Sequence, residues 1–230
     1  MTIIESRVES EIDTLTSHLQ QLIRVPSVSA KKQVTITKCA ELVSEIMSKA
    51  GIKSELLKLD YNSEEIAPVV YGEVKSKINP DGKTILFYNH YDVQPPEPIE
   101  LWDDDPFSGK IDGNLIFGRG ASDDKGELIT RIKAVQYFLD ETGDVPCNVK
   151  FIIEGEEEVG SCHLEKYLIK YRQKFSCDAT IWEFGYIDEN ETPIISLGMK
   201  GLLCVELHAV CANADLHSGL AVLVENPAWR

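Results

Sequence analysis

Basic residues are scarce in this chain. Its 230 residues hold 23 Lys and Arg against 38 Asp and Glu, a formal net charge of −15. So acidic a chain lacks the Lys and Arg clusters that phosphate binding needs. Neither a nucleic acid nor a membrane is expected as a partner. Cysteine pairs at zinc-knuckle spacing are also missing. No two of Cys39, Cys147, Cys162, Cys177, Cys204 and Cys211 lie two to four residues apart. A chain this long does not need disulfide staples, so the six read as reduced thiols of an intracellular, cytoplasmic protein. No apolar run approaches the ~20 residues that span a bilayer. The acidic start MTIIESRVESEID lacks the features of a signal peptide. The phosphate loop spacing G-x-x-x-x-G-K-S/T is absent. What is present is enough apolar material to fold, 43% of residues, which excludes disorder as the main state.

Val8, Ile12, Leu15, Leu19, Leu22 and Ile23 recur at helical spacing over residues 3–23. Pro26 stops that helix. A second helix is expected over about 35–50, with Ala40, Leu42, Val43, Ile46 and Met47 inward and Gly51 as its cap. Strands are expected over 53–59, 69–74 and 84–89. The last, TILFYN, is almost continuously apolar, as a strand buried on both faces would be. A polar, Pro-rich loop comes next, over 93–114, a length usually reserved for function. Beyond it come a short strand (115–117), a helix (125–141), a strand (148–153), a helix (162–171) and a strand (179–182). Alternating helices and strands specify an α/β fold, a mixed sheet flanked by helices. After residue 198 the pattern changes. LLCVELHAVCA, residues 202–212, alternates as a half-buried strand would. The expected organisation is a main domain over 1–198 and the beginning of an α+β unit over 199–230, cut short.

Four polar clusters fall at the ends of expected strands, where open α/β sheets place their sites. They are His90-Tyr91-Asp92, the stretch Gly118 to Gly126 (GRGASDDKG), the stretch Glu154 to Ser161 (EGEEEVGS), and Glu183. Each has a plain reading by itself. His90 and Asp92 could be a surface pair at a turn, Asp123 a helix cap, the glutamates a solvated turn. Together they offer one imidazole and several carboxylates, a nitrogen and oxygen donor set that suits Zn²⁺, Mn²⁺ or Co²⁺ better than Ca²⁺. A shared carboxylate could hold two such ions ~3.5–4 Å apart. A spare glutamate beside them could accept a proton from water.

The motifs NHYDVQPPEPIELWDDDPFSG, IFGRGASDDKG, IIEGEEEVGS and ADLHSGL stand in the order of the M20 family of metallopeptidases, and the chain resembles the N-terminal part of that family. The family includes carnosinase-like dipeptidases, carboxypeptidase G2-like enzymes and the acetylornithine and succinyl-diaminopimelate deacylases. The VQPP and WDDDPF stretches are most similar to the dipeptidase branch. The resemblance implies a zinc-exopeptidase-like catalytic domain over 1–198 and the start of a lid and dimerisation domain over 199–230. It implies His90, Asp123, Glu158 and Glu183 as metal ligands, with Asp123 bridging two Zn²⁺ ions. It implies Asp92 as the partner of His90, Glu157 as general base, and His217 as an oxyanion donor sent into the other subunit of a homodimer. Phe184-Gly185 departs from what many dipeptidases carry after the acidic residue that Glu183 matches. A second histidine ligand, supplied by the C-terminal part in the family, is missing, and His163 is a weak substitute. The implied activity is hydrolysis of a peptide (dipeptide or C-terminal) amide bond, weak or absent in this truncated chain. The alternatives are an N-acyl amino-acid deacylase and a truncated piece that keeps the fold without a competent site.

Overall fold

A computed structural model of the chain describes residues 3–31, 34–59, 66–183, 185, 187–190, 192–198, 200–210, 214–215, 217–219 and 226. In chain order its elements are α1 (Ile3–Ile23), α2 (Val34–Lys49), β1 (Lys53–Leu57), β2 (Val69–Val74), β3 (Thr84–His90), β4 (Lys110–Asp112), β5 (Leu115–Phe117), α3 (Lys125–Thr142), β6 (Asn148–Glu154), α4 (Leu164–Lys170), α5 (Arg172–Phe175) and β7 (Ala179–Ile181). The chain divides into two compact units, Met1–Gly185 and Tyr186–Arg230.

The first unit is built on a five-stranded sheet in the order β1-β2-β6-β3-β7. β1 with β2 and β2 with β6 run antiparallel, while β3 runs parallel to both β6 and β7. The sheet is therefore mixed, as the alternating pattern of elements implies. Alternation along β6 sends Val149, Phe151 and Ile153 to one face, where they meet Leu22, Ile23, Val43, Met47, Leu128 and Ile132 of the first three helices. Ile152 points the other way, with Leu86 and Tyr88 of β3, onto Tyr167 of α4 and Phe175 of α5. Burying each large apolar side chain contributes about 1.5–3 kcal/mol. The near-continuous apolar runs of β3 and β6 thus arise from helices covering both faces. β3 and β6 are in register to their ends, His90 opposite Glu154. The loops leaving these two strands therefore emerge at the same level.

Local signals set the helix boundaries. At the end of α2, Gly51 takes φ +78 and the Ile52 N–H donates to the Met47 carbonyl at 3.0 Å. That closes the last turn through a left-handed residue, a conformation glycine adopts without steric cost.

Some expectations are corrected. Val8 and Ile12 of α1 are exposed, 39% and 51%. That end of the helix is held by charge instead, with Arg7 near Glu11, Asp140 and Glu141. The loop over 93–114 ends in β4, which forms a two-stranded ribbon with β5. Three exposed residues were too few to show a period. The helix expected over 162–171 runs as α4, and a further short helix, α5, follows Tyr171 beyond that range. The strand expected over 202–212 is not formed in residues 202–210, which are exposed and irregular. A strand needs a neighbour to pair its backbone, and none of the described residues pairs with this segment. Cys211 and Ala212 lie outside the described residues.

Candidate metal centre

The carboxyl ends of three adjacent parallel strands, β6, β3 and β7, bring the polar clusters together. His90 is the last residue of β3, the turn Glu157–Val159 comes after β6, and Glu183 lies two residues beyond β7. Asp123 and Asp124 arrive from the turn before α3. That turn is tight: Gly120 has φ +84, and a Cβ there would come within 2.7 Å of Val93. Asp124 occupies the N-cap position of α3 but makes no side-chain cap hydrogen bond. Its Oδ2 accepts instead from Asn89 Nδ2 at 2.7 Å and from the His90 N–H at 2.9 Å. A capping role for this acidic pair is therefore not what the fold uses.

Asp92, fully buried, organises the centre from behind. Its Oδ1 accepts from the Glu157 N–H at 3.2 Å and its Oδ2 from the Glu158 N–H at 3.0 Å. The same Oδ1 lies 3.4 Å from His90 Nδ1, which also lies 3.1 Å from the Asp92 carbonyl oxygen. Nδ1 is thus turned inward and Nε2 outward. Around Nε2 stand Asp123 Oδ1 at 3.0 Å, Glu183 Oε2 at 3.7 Å and Glu157 Oε2 at 3.9 Å. Glu158 completes the ring of carboxylates, and Gln94 Nε2 donates to its Oε2 at 2.8 Å. Glu156, the first of the three consecutive glutamates, turns away and meets His163 Nδ1 at 2.8 Å. Divergence of the side chains relieves the repulsion that three adjacent acids would create.

The electrostatics show acids in excess. Burial alone pulls the His90 imidazolium down. Hydrogen bonds to Asp123 and Asp92 and the charge of Asp124 outweigh it, and its pKa is pushed up to about 12. Burial raises Glu183 to about 8 and Asp124 to about 7, against the pull of His90. Burial likewise raises Glu158, while the hydrogen bond to His90 lowers Asp123. A proton held this strongly on a histidine among carboxylates occupies a place where a divalent cation would bind.

The donor atoms fit such a cation. His90, Asp124 and Glu183 form one group whose ligand atoms lie within 4.8 Å of one another, and His90, Asp123 and Glu158 form a second. Glu183 Oε2 is buried without any hydrogen-bond partner, an uncommon state for a carboxylate oxygen and one that a metal ion would relieve. Asp124 was given no role by spacing, yet it joins Glu183 and His90 here. His163 belongs to neither group among the described residues. His217 lies in the second unit, where it is exposed and its Nδ1 accepts from the Gly219 N–H at 3.1 Å.

Sequence reasoning missed the residues that hold this cluster in place. Lys125, fully buried, donates to the Leu22 and Val25 carbonyls, both at 2.9 Å, and so ties the end of α1 to the turn that carries Asp123. Ser161 Oγ and Tyr88 Oη both donate to the buried Glu154 Oε1 and close the glutamate turn. The burial of Lys125 is not visible in the sequence, where a lysine at a helix start reads as exposed. The Tyr88 tie to Glu154 joins residues far apart in sequence and leaves no periodic trace.

Residues 86–229 match the model of peptidase family M20/M25/M40. The Cys-Gly metallodipeptidase dug1 of Schizosaccharomyces pombe is 31% identical over 93% of this chain and 46% of its own length. The human Beta-Ala-His dipeptidase is 37% identical over 70% of this chain and 32% of its own. The crystal structure of an M20 family metallo-carboxypeptidase from Sulfolobus solfataricus superimposes with a TM-score of 0.74, with 42% identity, over 91% of this chain and 46% of that one. The chain thus spans about a third to a half of the length of these relatives.

Proposed function

This chain belongs to peptidase family M20/M25/M40, and we propose that it carries the metal and proton-transfer machinery of a hydrolase acting on the amide bond of dipeptides or of C-terminal residues. The observation that carries this reading is the ring of carboxylates around one outward-facing imidazole nitrogen. His90, Asp123, Glu158 and Glu183 would hold Zn²⁺, or Mn²⁺ or Co²⁺ in its place, with Asp124 beside them. Bound metal supplies the positive charge that polarises the scissile carbonyl and acidifies water.

The chain's own residues then divide the remaining work. Asp92 holds His90 in the tautomer that presents Nε2 and, through two amides, fixes the turn carrying Glu157 and Glu158. Glu157 lies at the rim, about one-third exposed. It takes the proton of the attacking water and returns it to the leaving amine. His217 would supply a donor to the oxyanion from the other subunit of a homodimer formed through the lid that begins near residue 199.

The test is a panel of dipeptides and N-acyl amino acids incubated with the chain, with zinc and after chelation. Weak zinc-dependent dipeptide cleavage is expected, because one imidazole serves both donor groups. Cleavage of N-acyl substrates alone would make it a deacylase. Bound zinc without hydrolysis of either class would leave a fold that holds metal but does not catalyse.

A further inference from the structure

Glu183 sits at a weakly anchored edge of the sheet. The strand before it, β7, is three residues long, exposed, and pairs among the described residues only with β3. Glu183 Oε2 makes no hydrogen bond, so no bond at that oxygen fixes its direction and more of that task falls to the backbone. Two side chains of α3 grip that backbone on either side. Arg131 Nη2 donates to the Trp182 carbonyl at 2.7 Å, and Glu127 Oε1 accepts from the Gly185 N–H at 2.7 Å. One helical turn apart, the two residues are also paired with each other, Nη2 to Oε2 at 3.1 Å. The other arm of the guanidinium, Nη1, reaches the Tyr88 carbonyl at 2.8 Å and Asn89 Oδ1 at 2.9 Å. Asn89 in turn donates to the Asp124 oxygen that accepts the His90 amide. The Trp182 ring stacks on Tyr88, centroids 3.7 Å apart.

We propose that Glu127 and Arg131 are positioning residues of the metal centre, bracketing Glu183 and tying it through Asn89 and Asp124 to His90. The inference rests on the metal reading above and deepens it. Only a planar, multiply donating guanidinium can serve a carboxylate, two carbonyls and an amide oxygen at once. A lysine, a point charge on a flexible stem, cannot.

The experiment measures zinc affinity by competition with a chromophoric chelator. The proteins are the unsubstituted chain and Arg131→Met, Arg131→Lys and Glu127→Ala, each also made in a Glu183→Gln background. Each single variant should bind zinc about 10–100-fold more weakly, and Lys should not rescue Arg131. In the Glu183→Gln background the same substitutions should cost little more, because changes acting through one group are not additive. General loosening of the fold would instead weaken binding equally in both backgrounds, and that result overturns the inference. Glu127→Ala alters a side chain 26% exposed and is the milder change. If it leaves affinity unmoved while the unsubstituted chain binds zinc, the bracket is wrong and the metal reading stands. If the unsubstituted chain binds no zinc, both fail.

Discussion

Asp92 and Glu157 are linked by a hydrogen bond in which the buried carboxylate accepts the glutamate's own backbone N–H, at 3.2 Å. The neighbouring Glu158 amide takes the other Asp92 oxygen at 3.0 Å. One aspartate therefore sets both the imidazole and the turn that presents two acids. Asp92→Ala would leave two amides without acceptors and free the His90 ring. Zinc affinity should fall by about 10–100-fold, and stability by about 1–3 kcal/mol for each orphaned amide. Asp92→Asn, which keeps one acceptor oxygen, should fall between. Zinc titration and urea unfolding measure the two effects, and unchanged zinc affinity in Asp92→Ala would remove this role.

Glu157 separates binding from proton transfer. Glu157→Gln should leave zinc affinity nearly intact and lower hydrolysis of the best dipeptide by at least ~10²–10⁴-fold, the usual loss for a general base. Loss of zinc together with activity recovered in excess zinc would make Glu157 a ligand and exchange its role with Glu158.

The metal-free chain should lose stability as pH rises. Glu183 is raised from 4.5 to about 8 and Asp124 from 3.8 to about 7. Each folds most readily protonated, so the penalty for folding grows from about pH 4 to about pH 8. His90, raised from 6.5 to about 12, contributes stability that is complete below pH 6.5 and is lost as pH climbs through 12. All three act in the same direction. Thermal melting after chelation should therefore drop between about pH 5 and about pH 9, and Glu183→Gln should flatten the drop. Zinc displaces protons from its ligands, so added zinc should raise Tm more at about pH 8 than at about pH 5. A Tm that climbs with pH in the metal-free chain would show that these groups do not carry the balance.

Lys125 is a structural counterpart to the ligands. Burial pushes its ammonium pKa down, yet its two carbonyl partners give it a place. Lys125→Met keeps the volume and removes both bonds, while the Val25 and Ser27 N–H groups still serve the Leu22 and Val25 carbonyls, so destabilisation of about 0.5–1.5 kcal/mol per lost bond is expected in urea unfolding. A neutral result would mean that the two Lys125 bonds add nothing to the fold.

Much of this was legible because buried strands have an unmistakable composition, and a residue just beyond a strand end has its position fixed by the strand. TILFYN located His90, VKFII located the glutamates, and ATIW located Glu183 within two residues of the strand end. Contacts that depend on backbone atoms of remote segments were not legible. Arg131 lies on a helix whose pattern gives no hint that it reaches the Trp182 carbonyl. Asp124 looked like a duplicate of Asp123 until its hydrogen bonds to Asn89 and His90 distinguished them. The alternation over residues 202–210 suggested a strand, but alternation supplies only a face; the pairing partner has to come from elsewhere.

The most direct measurement is a calorimetric zinc titration of the metal-free chain and of His90→Ala, with X-ray absorption at the zinc edge on the loaded protein. Both donor groups contain His90, and one Nε2 can serve only one ion. One tightly bound zinc per chain is expected, with a mixed nitrogen and oxygen shell, and His90→Ala should abolish it. No tight binding, a shell containing sulfur, or equal binding by His90→Ala would contradict a metal centre at the ends of these three strands.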